Sequence, residues 1–298
     1  MSTPGRPKCE YRSAQHEGTP ASPGAMTVVD TLREAKALGV DRLDAQVLLA
    51  HVLARTRSWL VAHDDAVLDD TQRLAVQAAL ARRAAGEPLA YLVGEKGFYG
   101  LVLQVNASVL VPRPDTELLV DWAIELLAKE SLGVAEPRVV DLGTGSGAIA
   151  LAVKLAHPAA AVVATDISHE ALAVARANAE RLGLAVTLRE GAWWAALGDQ
   201  RFHLALSNPP YIAGGDPHLA ALRYEPLLAL TPGGDGLAAL REIVGGAADH
   251  VEPGGWVLLE HGHDQALAVA GLLHEHGFSG IQTRRDLGGQ ARCTGGHR

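Results

Sequence analysis

One short segment of the chain, Ser207-Asn208-Pro209-Pro210-Tyr211, combines residue types that could hold a planar amino group. Asn208 carries a side-chain carbonyl oxygen, which accepts hydrogen bonds. The two prolines lack backbone N–H donors and stiffen the segment, so that carbonyl oxygens remain free to accept. Tyr211 adds a flat apolar surface. An NH2 group has two hydrogens in one plane and needs two fixed acceptors, so we predict that Asn208, Pro209, Pro210 and Tyr211 bind and orient a planar nitrogen.

A second motif, Asp141-Leu142-Gly143-Thr144-Gly145-Ser146-Gly147, lies between an apolar segment and an apolar helical pattern. A strand that runs through glycines into a helix brings the backbone close to a ligand, with helix N–H groups nearby. Nicotinamide enzymes use G-x-G-x-x-G with an acid about 20 positions later. Here the spacing is G-x-G-x-G and Asp141 precedes the first glycine, which argues against a nicotinamide dehydrogenase. The motif resembles the first motif of class I S-adenosylmethionine methyltransferases.

An acidic residue, Asp166, closes the next apolar segment, 19 positions after Gly147. A carboxylate at a strand end is often a helix cap, but Ser168 is the better cap for the helix that follows. A carboxylate also accepts hydrogen bonds from both hydroxyls of a ribose. We therefore predict that Asp166 binds the ribose of the methyl donor.

These motifs belong to a half of the chain in which strand and helix patterns alternate. The predicted strands cover residues 139–142, 161–166, 184–188, 202–207, 255–260 and, at the edge of the sheet, 280–283. Such alternation predicts an α/β fold with a doubly wound, mostly parallel, Rossmann-like sheet covered by helices on both faces. Because the carboxyl ends of the strands meet at the ligand crevice, Asn208 should face the glycine motif.

The residues before this half have other patterns. Apolar residues at helical spacing predict a small helical bundle between Met26 and Pro88, and alternation after Gly94 predicts a β-hairpin. Residues 1–25 have no apolar core and suggest a disordered tail, or a start codon upstream of a working initiator at Met26. We predict a tail (1–25), a helical substrate-recognition domain (26–88), a β-hairpin linker (89–115) and a methyltransferase domain (116–298).

The composition narrows the class of protein. Of the 298 residues, 48% are hydrophobic and 20% are charged, which is typical of a soluble globular protein. The formal net charge of −8 argues against direct nucleic-acid binding, because proteins that bind phosphates carry a basic face. Cys9 and Cys293 offer neither a disulfide framework nor a metal site. No apolar run has the roughly 18 residues of a membrane span. We expect a cytoplasmic protein that binds no metal and is a monomer.

The chain as a whole resembles the peptide chain release factor N5-glutamine methyltransferases. The resemblance runs from residue 26 to residue 292 and keeps the order and spacing of its motifs. Besides the glycine and N-P-P-Y motifs, it rests on the small helical domain and on residues 94–100, 111–117, 224–226, 233–237 and 259–262. It implies S-adenosylmethionine as the methyl donor and the glutamine of the Gly-Gly-Gln loop of bacterial release factors as the substrate.

The resemblance also implies roles for individual residues. The donor would be bound by Asp141, Gly143, Thr144, Gly145, Ser146, Gly147, Asp166, Trp193 and Asn208. The substrate glutamine would be bound by Phe98, Asn208, Pro209, Pro210 and Tyr211. The family usually has an acidic residue just before the aromatic residue that packs on the adenine, and this chain has Ala192 there. The neighbouring Trp194 leaves open which of the two indoles packs on the adenine.

Two other functions have to be weighed. An adenine-N6 methyltransferase acting on nucleic acid shares the N-P-P-Y motif, but it predicts a basic groove and a target-recognition insertion, and the sequence has neither. A donor-binding scaffold protein would not require the stiff acceptor segment. The chain also contains its own Gly288-Gly289-Gln290. Self-methylation of Gln290 is a remote hypothesis, because three such residues recur easily by chance in a glycine-rich region.

Overall fold

The computed structural model describes residues 26–128 and 134–298, so the predicted tail at 1–25 lies outside the described residues. The chain divides into two compact units, one ending at Ala81 and the other running from Arg82 to Arg298. This division falls inside a helix, seven residues before the end of the helical domain at Pro88. The four domain ranges given above remain predictions.

The first unit is helical, as the apolar spacing predicts. Its helices are α1 (Val28–Ala37), α2 (Arg42–Leu53), α3 (Arg57–Ala62) and most of α4 (Asp70–Ala84). Helix α1 begins with a capping box in which Thr27 and Asp30 bond each other's backbone N–H groups. Asp41 caps α2 by accepting a hydrogen bond from the Leu43 N–H, at 2.7 Å. The short helix α3 is not predicted by the sequence, because it has too few residues to show a period.

The second unit opens with a short helix, α5 (Leu89–Val93), and an antiparallel hairpin of β1 (Glu95–Phe98) and β2 (Leu101–Gln104). The hairpin expected after Gly94 is therefore present. Its turn is fastened to the next helix, α6 (Glu117–Ala128), because the Tyr99 N–H donates to Glu117 Oε1 at 2.8 Å. This attachment holds the end of β1, where the buried ring of Phe98 lies.

A seven-stranded sheet forms the centre of the second unit, with the strand order β5-β4-β3-β6-β7-β9-β8. The strands are β3 (Arg138–Leu142), β4 (Ala161–Asp166), β5 (Thr187–Glu190), β6 (Phe202–Ser207), β7 (Val251–Glu260), β8 (Ser279–Arg285) and β9 (Ala291–His297). Strands β3 to β7 are parallel, and β9 pairs antiparallel with both β7 and β8. The prediction of a mostly parallel sheet is confirmed.

Helices cover this sheet on both faces. They are α6, α7 (Ala148–Ala156), α8 (His169–Leu182), α9 (Ala238–His250) and α10 (Ala266–Glu275). Successive residues of a strand point to opposite faces, and Val139 and Val140 accordingly belong to two different buried clusters. One cluster includes Leu151 of α7 and the other includes Ile243 of α9. Burial on both faces explains why the central strands are continuous apolar runs.

Apart from the earlier start of β7 at Val251, the observed strands differ from the predicted ones in two places. The strand expected at 184–188 is instead Thr187–Glu190, because the first of these residues ends a helix. Gly183 has φ +66°, and the Leu184 N–H donates to Ala179 of α8 at 3.0 Å, as at many helix ends. The other difference is β9, which the sequence analysis does not predict. It contains Gly295 and Gly296, which are poor strand formers.

Gly295 generates a stability prediction, because a side chain there has no room. A Cβ atom would lie 2.4 Å from Leu258 Cδ2 and 2.7 Å from the Val257 carbonyl oxygen. We expect Gly295→Ala to lower the free energy of unfolding by about 1–3 kcal/mol through overpacking. Gly271 in α10 has open space at the same position, so Gly271→Ala should raise stability by about 0.5–1 kcal/mol. Urea unfolding of both variants checks this, and equal effects would contradict it.

Candidate functional site

A cavity of about 320 Å³ lies at the carboxyl ends of β3, β4 and β6, within the usual size range of small-molecule sites. Nine of the predicted site residues line it, namely Phe98, Gly143, Thr144, Gly145, Ser146, Asp166, Trp193, Asn208 and Pro210. Four others do not line the cavity, namely Asp141, Gly147, Pro209 and Tyr211. The topology thus brings the two motifs together at one cavity, as predicted.

The glycine motif forms a loop that only glycine can build without strain. Gly143, Gly145 and Gly147 have φ of +74°, +56° and +86°, in the left-handed region. A Cβ atom on Gly145 would meet nothing within 4 Å, so the backbone of this residue is open towards the cavity. Helix α7 starts directly after Gly147, and its first turn therefore adds unpaired N–H groups and the positive end of the helix dipole.

Asp141 stabilises this loop from behind. Its side chain is fully buried, and Oδ2 accepts hydrogen bonds from the Thr144 hydroxyl at 2.6 Å and the Ala150 N–H at 3.2 Å. Burial raises the pKa of Asp141 to about 7, against the lowering effect of these two hydrogen bonds. The Asp141 side chain therefore fixes the glycine turn and the start of α7. A direct contact between Asp141 and the donor remains a prediction.

Asp166 lies at the end of β4 and faces the cavity. Its Oδ2 accepts from the Gly145 N–H at 2.8 Å and its Oδ1 from the Ser168 N–H at 3.0 Å. Burial raises the pKa of this carboxyl, and backbone hydrogen bonds from Ser168, Gly145 and Ile167 oppose that shift. Ser168 caps α8 by accepting from the Ala171 N–H at 3.1 Å, which confirms that the helix does not need Asp166 as its cap.

The two adjacent tryptophans have different places. Trp193 lines the cavity, and its ring covers Gly143 so closely that a Cβ there would lie 3.1 Å from Trp193 Cζ3. Trp194 is buried, donates from Nε1 to the Ile243 carbonyl oxygen at 2.8 Å, and stacks on His250. Trp193 has φ +45°, an unfavourable conformation for a bulky residue. Of the two indoles, only Trp193 is therefore placed to contact a ligand in the cavity.

Asn208 is held in one orientation by a neighbouring hydroxyl. Its Nδ2 donates to Thr116 Oγ1 at 3.0 Å, across 92 positions of the chain. Glu260, buried at the end of β7, lies near enough that the Thr116 hydroxyl opposes the rise in the pKa of its carboxyl that burial causes. An amide nitrogen can only donate, so the Thr116 hydroxyl oxygen is the acceptor in its bond with Asn208. Asn208 Oδ1 receives no hydrogen bond from the described residues and is free to accept from a ligand.

The remaining residues of the N-P-P-Y motif surround this arrangement. Pro209 is buried, and Pro210 contributes to the cavity wall. The Tyr211 hydroxyl donates to Glu260 Oε1 at 3.4 Å, and burial raises the pKa of this phenol. Tyr211 is therefore joined to the carboxyl group at the end of β7, whose other oxygen, Oε2, has no partner among the described residues.

The proline-rich connector at 111–115 is clamped by residues far along the chain. Buried Glu225 accepts from the Val111 N–H at 3.0 Å and forms an ion pair with Arg113, which lines the cavity. Arg292 lies between Asp115, at 3.3 Å, and Asp286, at 2.9 Å. These contacts tie the connector that leads into Thr116 to two distant parts of the chain.

The Gly288-Gly289-Gln290 segment forms the turn between β8 and β9. Gly289 has φ +79°, and the Gln290 N–H donates to Asp286 Oδ1 at 2.8 Å. This gives the tripeptide a structural role, and its glutamine does not line the cavity.

Thr116, Glu225 and Glu260 are site residues that the sequence analysis does not single out. Each lies within a segment that carries the family resemblance (111–117, 224–226 and 259–262). A glutamate directly after three apolar strand residues, as in Val257-Leu258-Leu259-Glu260, is the pattern that could have indicated the last of them. Within the described ranges, no helix is long and apolar enough to cross a bilayer. No three His, Cys, Asp or Glu side chains of these ranges are grouped as metal ligands.

Glu260 generates a pH prediction. Burial raises its pKa to about 7 from the ordinary value of 4.5, so the folded protein keeps this proton to a higher pH than the unfolded chain. Stability from the neutral carboxyl is therefore present below about pH 4.5 and is lost as the pH rises through 7. We expect the neutral Glu260→Gln to raise the melting temperature, relative to wild type, more at pH 8 than at pH 5. An equal shift at both pH values in scanning calorimetry would contradict this.

Comparison with family models supports the assignment of both parts of the chain. Residues 27–94 match the PrmC N-terminal domain, and residues 117–235 match the methyltransferase small domain. Among solved structures, a methyltransferase from Pyrococcus furiosus matches with a TM-score of 0.52 and 20% identity, over 74% of this chain and 96% of that chain. This likeness shows the fold alone.

Sequence relatives are much more similar. A release factor glutamine methyltransferase of Bordetella pertussis is 51% identical over 262 residues, which cover 87% of this chain and 96% of that protein. One from Xylella fastidiosa strain Temecula1 is 48% identical over 260 residues, or 86% and 93% of the two chains. Identity of this degree over nearly the full length of both proteins shows that the chain belongs to the release factor glutamine methyltransferase family.

Proposed function

We propose that this enzyme transfers a methyl group from S-adenosylmethionine to the side-chain amide nitrogen of the glutamine in the Gly-Gly-Gln loop of bacterial peptide chain release factors. The observation that carries the proposal is the fixed orientation of Asn208, whose Nδ2 is held by Thr116 at 3.0 Å. Its free Oδ1 is a suitable acceptor for one hydrogen of a planar amide. Family membership, at 51% identity to one relative, supports the same substrate.

The cavity residues fit the proposed donor. Gly145 has no side chain, and the space beside its backbone is open to a ligand. The start of α7 offers N–H groups to the donor's carboxylate. Asp166 lies beside this loop, where its lone pairs can accept from ribose hydroxyls. The flat indole of Trp193 provides a surface for an aromatic base. When bound, the donor supplies a methyl group on a positively charged sulfur, which keeps the bonding electrons when the methyl leaves.

The chain's own residues would contribute mainly orientation. A glutamine amide nitrogen is a poor nucleophile, because its lone pair is delocalised into the carbonyl group. Acceptance by Asn208 Oδ1, and by the predicted carbonyl at Pro209, would raise the electron density on this nitrogen and turn its face towards the methyl group. The buried ring of Phe98 forms the cavity wall on which the substrate side chain would pack. The methylated amide then loses one proton to water, so no strong base is required.

The charges of the cavity do not favour a nucleic-acid substrate. Arg113 is the only lysine or arginine among the described lining residues, and its charge is paired with Glu225. Leu228, which is 61% exposed, lies at the cavity and offers apolar surface to a protein loop. The alternative of an adenine-N6 methyltransferase is therefore not supported. A cytoplasmic location follows from the proposed substrate, since release factors act on ribosomes, and the monomeric state remains a prediction.

Transfer of a labelled methyl group tests the proposed substrate. Purified enzyme with labelled S-adenosylmethionine should label a release factor, and should label neither the factor whose Gly-Gly-Gln glutamine is replaced by alanine nor duplex DNA. Label on DNA and none on the factor would overturn the substrate assignment. Label on both forms of the factor would place the modification at another residue.

Substitution of Asn208 tests the division of roles between donor and substrate sites. We expect Asn208→Ala to lower kcat by about 10²-fold or more, because it removes an oriented acceptor at the reacting nitrogen. Binding of S-adenosylhomocysteine, measured by calorimetry, should change little. A comparable loss of this binding would show that Asn208 serves the donor site instead.

Substitution of Thr116 tests whether the orientation of the Asn208 amide matters, because it leaves the acceptor oxygen of Asn208 present. Thr116→Val has nearly the same shape but cannot accept the hydrogen bond from Asn208 Nδ2, so the amide is free to turn. We expect kcat to fall by up to about tenfold, the value of one such hydrogen bond. The matched control Thr116→Ser keeps the hydroxyl and should retain most activity. If serine is as damaging as valine, loss of the hydrogen bond does not account for the effect, and the role given to the Thr116 hydroxyl is contradicted.

A further inference from the structure

A carboxylate that the sequence motifs do not include lines the cavity. Among the described lining residues, the acidic side chains are Asp166 and Glu242. Asp166 is already held by the N–H groups of Gly145 and Ser168. Glu242, on the second turn of α9, is exposed and has no hydrogen-bond or ion-pair partner among the described residues. Its charge is thus available to a ligand in the cavity.

The position of Glu242 is set by the tryptophan pair. The Trp194 Nε1–H donates to the carbonyl oxygen of Ile243 at 2.8 Å, which fastens the segment after β5 to α9. Trp193 is the residue before Trp194, and Glu242 is the residue before Ile243, so this bond also brings Trp193 and Glu242 near each other. A Cβ on Gly246, one turn later in α9, would lie 2.4 Å from Trp194 Cδ1, so the helix approaches this indole closely. Ala192, Trp193 and Glu242 all line the cavity, and the Trp194–Ile243 bond brings their two chain segments together.

Nearby cations do not neutralise Glu242. The adjacent Arg241 turns to Asp235, with Nη1 donating to Oδ1 at 3.0 Å. Arg113, the basic residue of the cavity wall, is paired with Glu225. A free carboxylate beside a flat aromatic ring suits a ligand that is planar and has an N–H donor on its edge. Adenine, with its exocyclic amino group, has both properties, whereas Ala192 has no polar side-chain atom to offer it.

We infer that the Glu242 carboxylate accepts a hydrogen bond from the exocyclic amino group of the donor's adenine while the ring packs on Trp193. The inference rests on the proposed use of S-adenosylmethionine and assigns Glu242 as a residue that determines nucleobase specificity. Hypoxanthine has a carbonyl oxygen in place of the amino group. This oxygen and the Glu242 carboxylate both accept hydrogen bonds, so they cannot bond to each other. The site would therefore reject hypoxanthine as well as bind adenine.

Calorimetric titration with S-adenosylhomocysteine and with its inosine counterpart tests this inference. Wild type should prefer the adenosine form by about tenfold or more, since the wrong base leaves a charged acceptor unpaired. Glu242→Ala should bind the adenosine form about tenfold less tightly and lose most of the preference. Glu242→Gln, whose amide oxygen can still accept, should fall between the two.

Asp249→Ala is the matched control, because Asp249 is an exposed acid of the same helix that does not line the cavity. It should keep the wild-type affinity and preference. Adding Ala192→Asp to Glu242→Ala should restore the preference, since it returns an acid to the same wall. An unchanged preference in Glu242→Ala would overturn the inference and leave the proposed function intact. Failure of wild type to bind S-adenosylhomocysteine would instead overturn the proposed donor.

Discussion

The structure of the site depends on the hydrogen bond between Asn208 and Thr116. An asparagine amide can turn by 180° and exchange its donor for its acceptor, so a free side chain would present the wrong group half of the time. The 3.0 Å bond from Nδ2 to the Thr116 hydroxyl removes this ambiguity. The parallel sheet makes this possible, because the ends of β6 and β7 are adjacent and the connector before α6 crosses beside them.

Two buried carboxyl groups have equivalent positions behind the two halves of the site. Asp141 holds the glycine loop through Thr144, and Glu260 holds the N-P-P-Y segment through Tyr211. Burial raises the pKa of each to about 7, so both positions cost stability at neutral pH. Such a cost is usual where a site must be rigid before its ligands bind. The left-handed Trp193 adds strain at the same cavity.

The sequence predicts those parts of the fold that depend on local patterns. Strands β4 and β6 have the predicted bounds, because both are apolar runs that end at a polar residue. The sequence cannot distinguish Trp193 from Trp194, since their places depend on the carbonyl of Ile243, far along the chain. Strand β9 and the role of Thr116 depend in the same way on distant partners. Glu242 is missed for the same reason, because only the packing of α9 brings it to the cavity.

The central claim is that Asn208 presents its oxygen, and not its nitrogen, to the substrate amide. The most direct measurement is a crystal structure of the enzyme with S-adenosylhomocysteine and a release factor. The account predicts that Asn208 Oδ1 lies about 2.7–3.2 Å from the glutamine side-chain nitrogen, with Nδ2 still bonded to Thr116. A complex in which the glutamine carbonyl oxygen faces Asn208 Nδ2, or in which Asn208 has left Thr116, would contradict it.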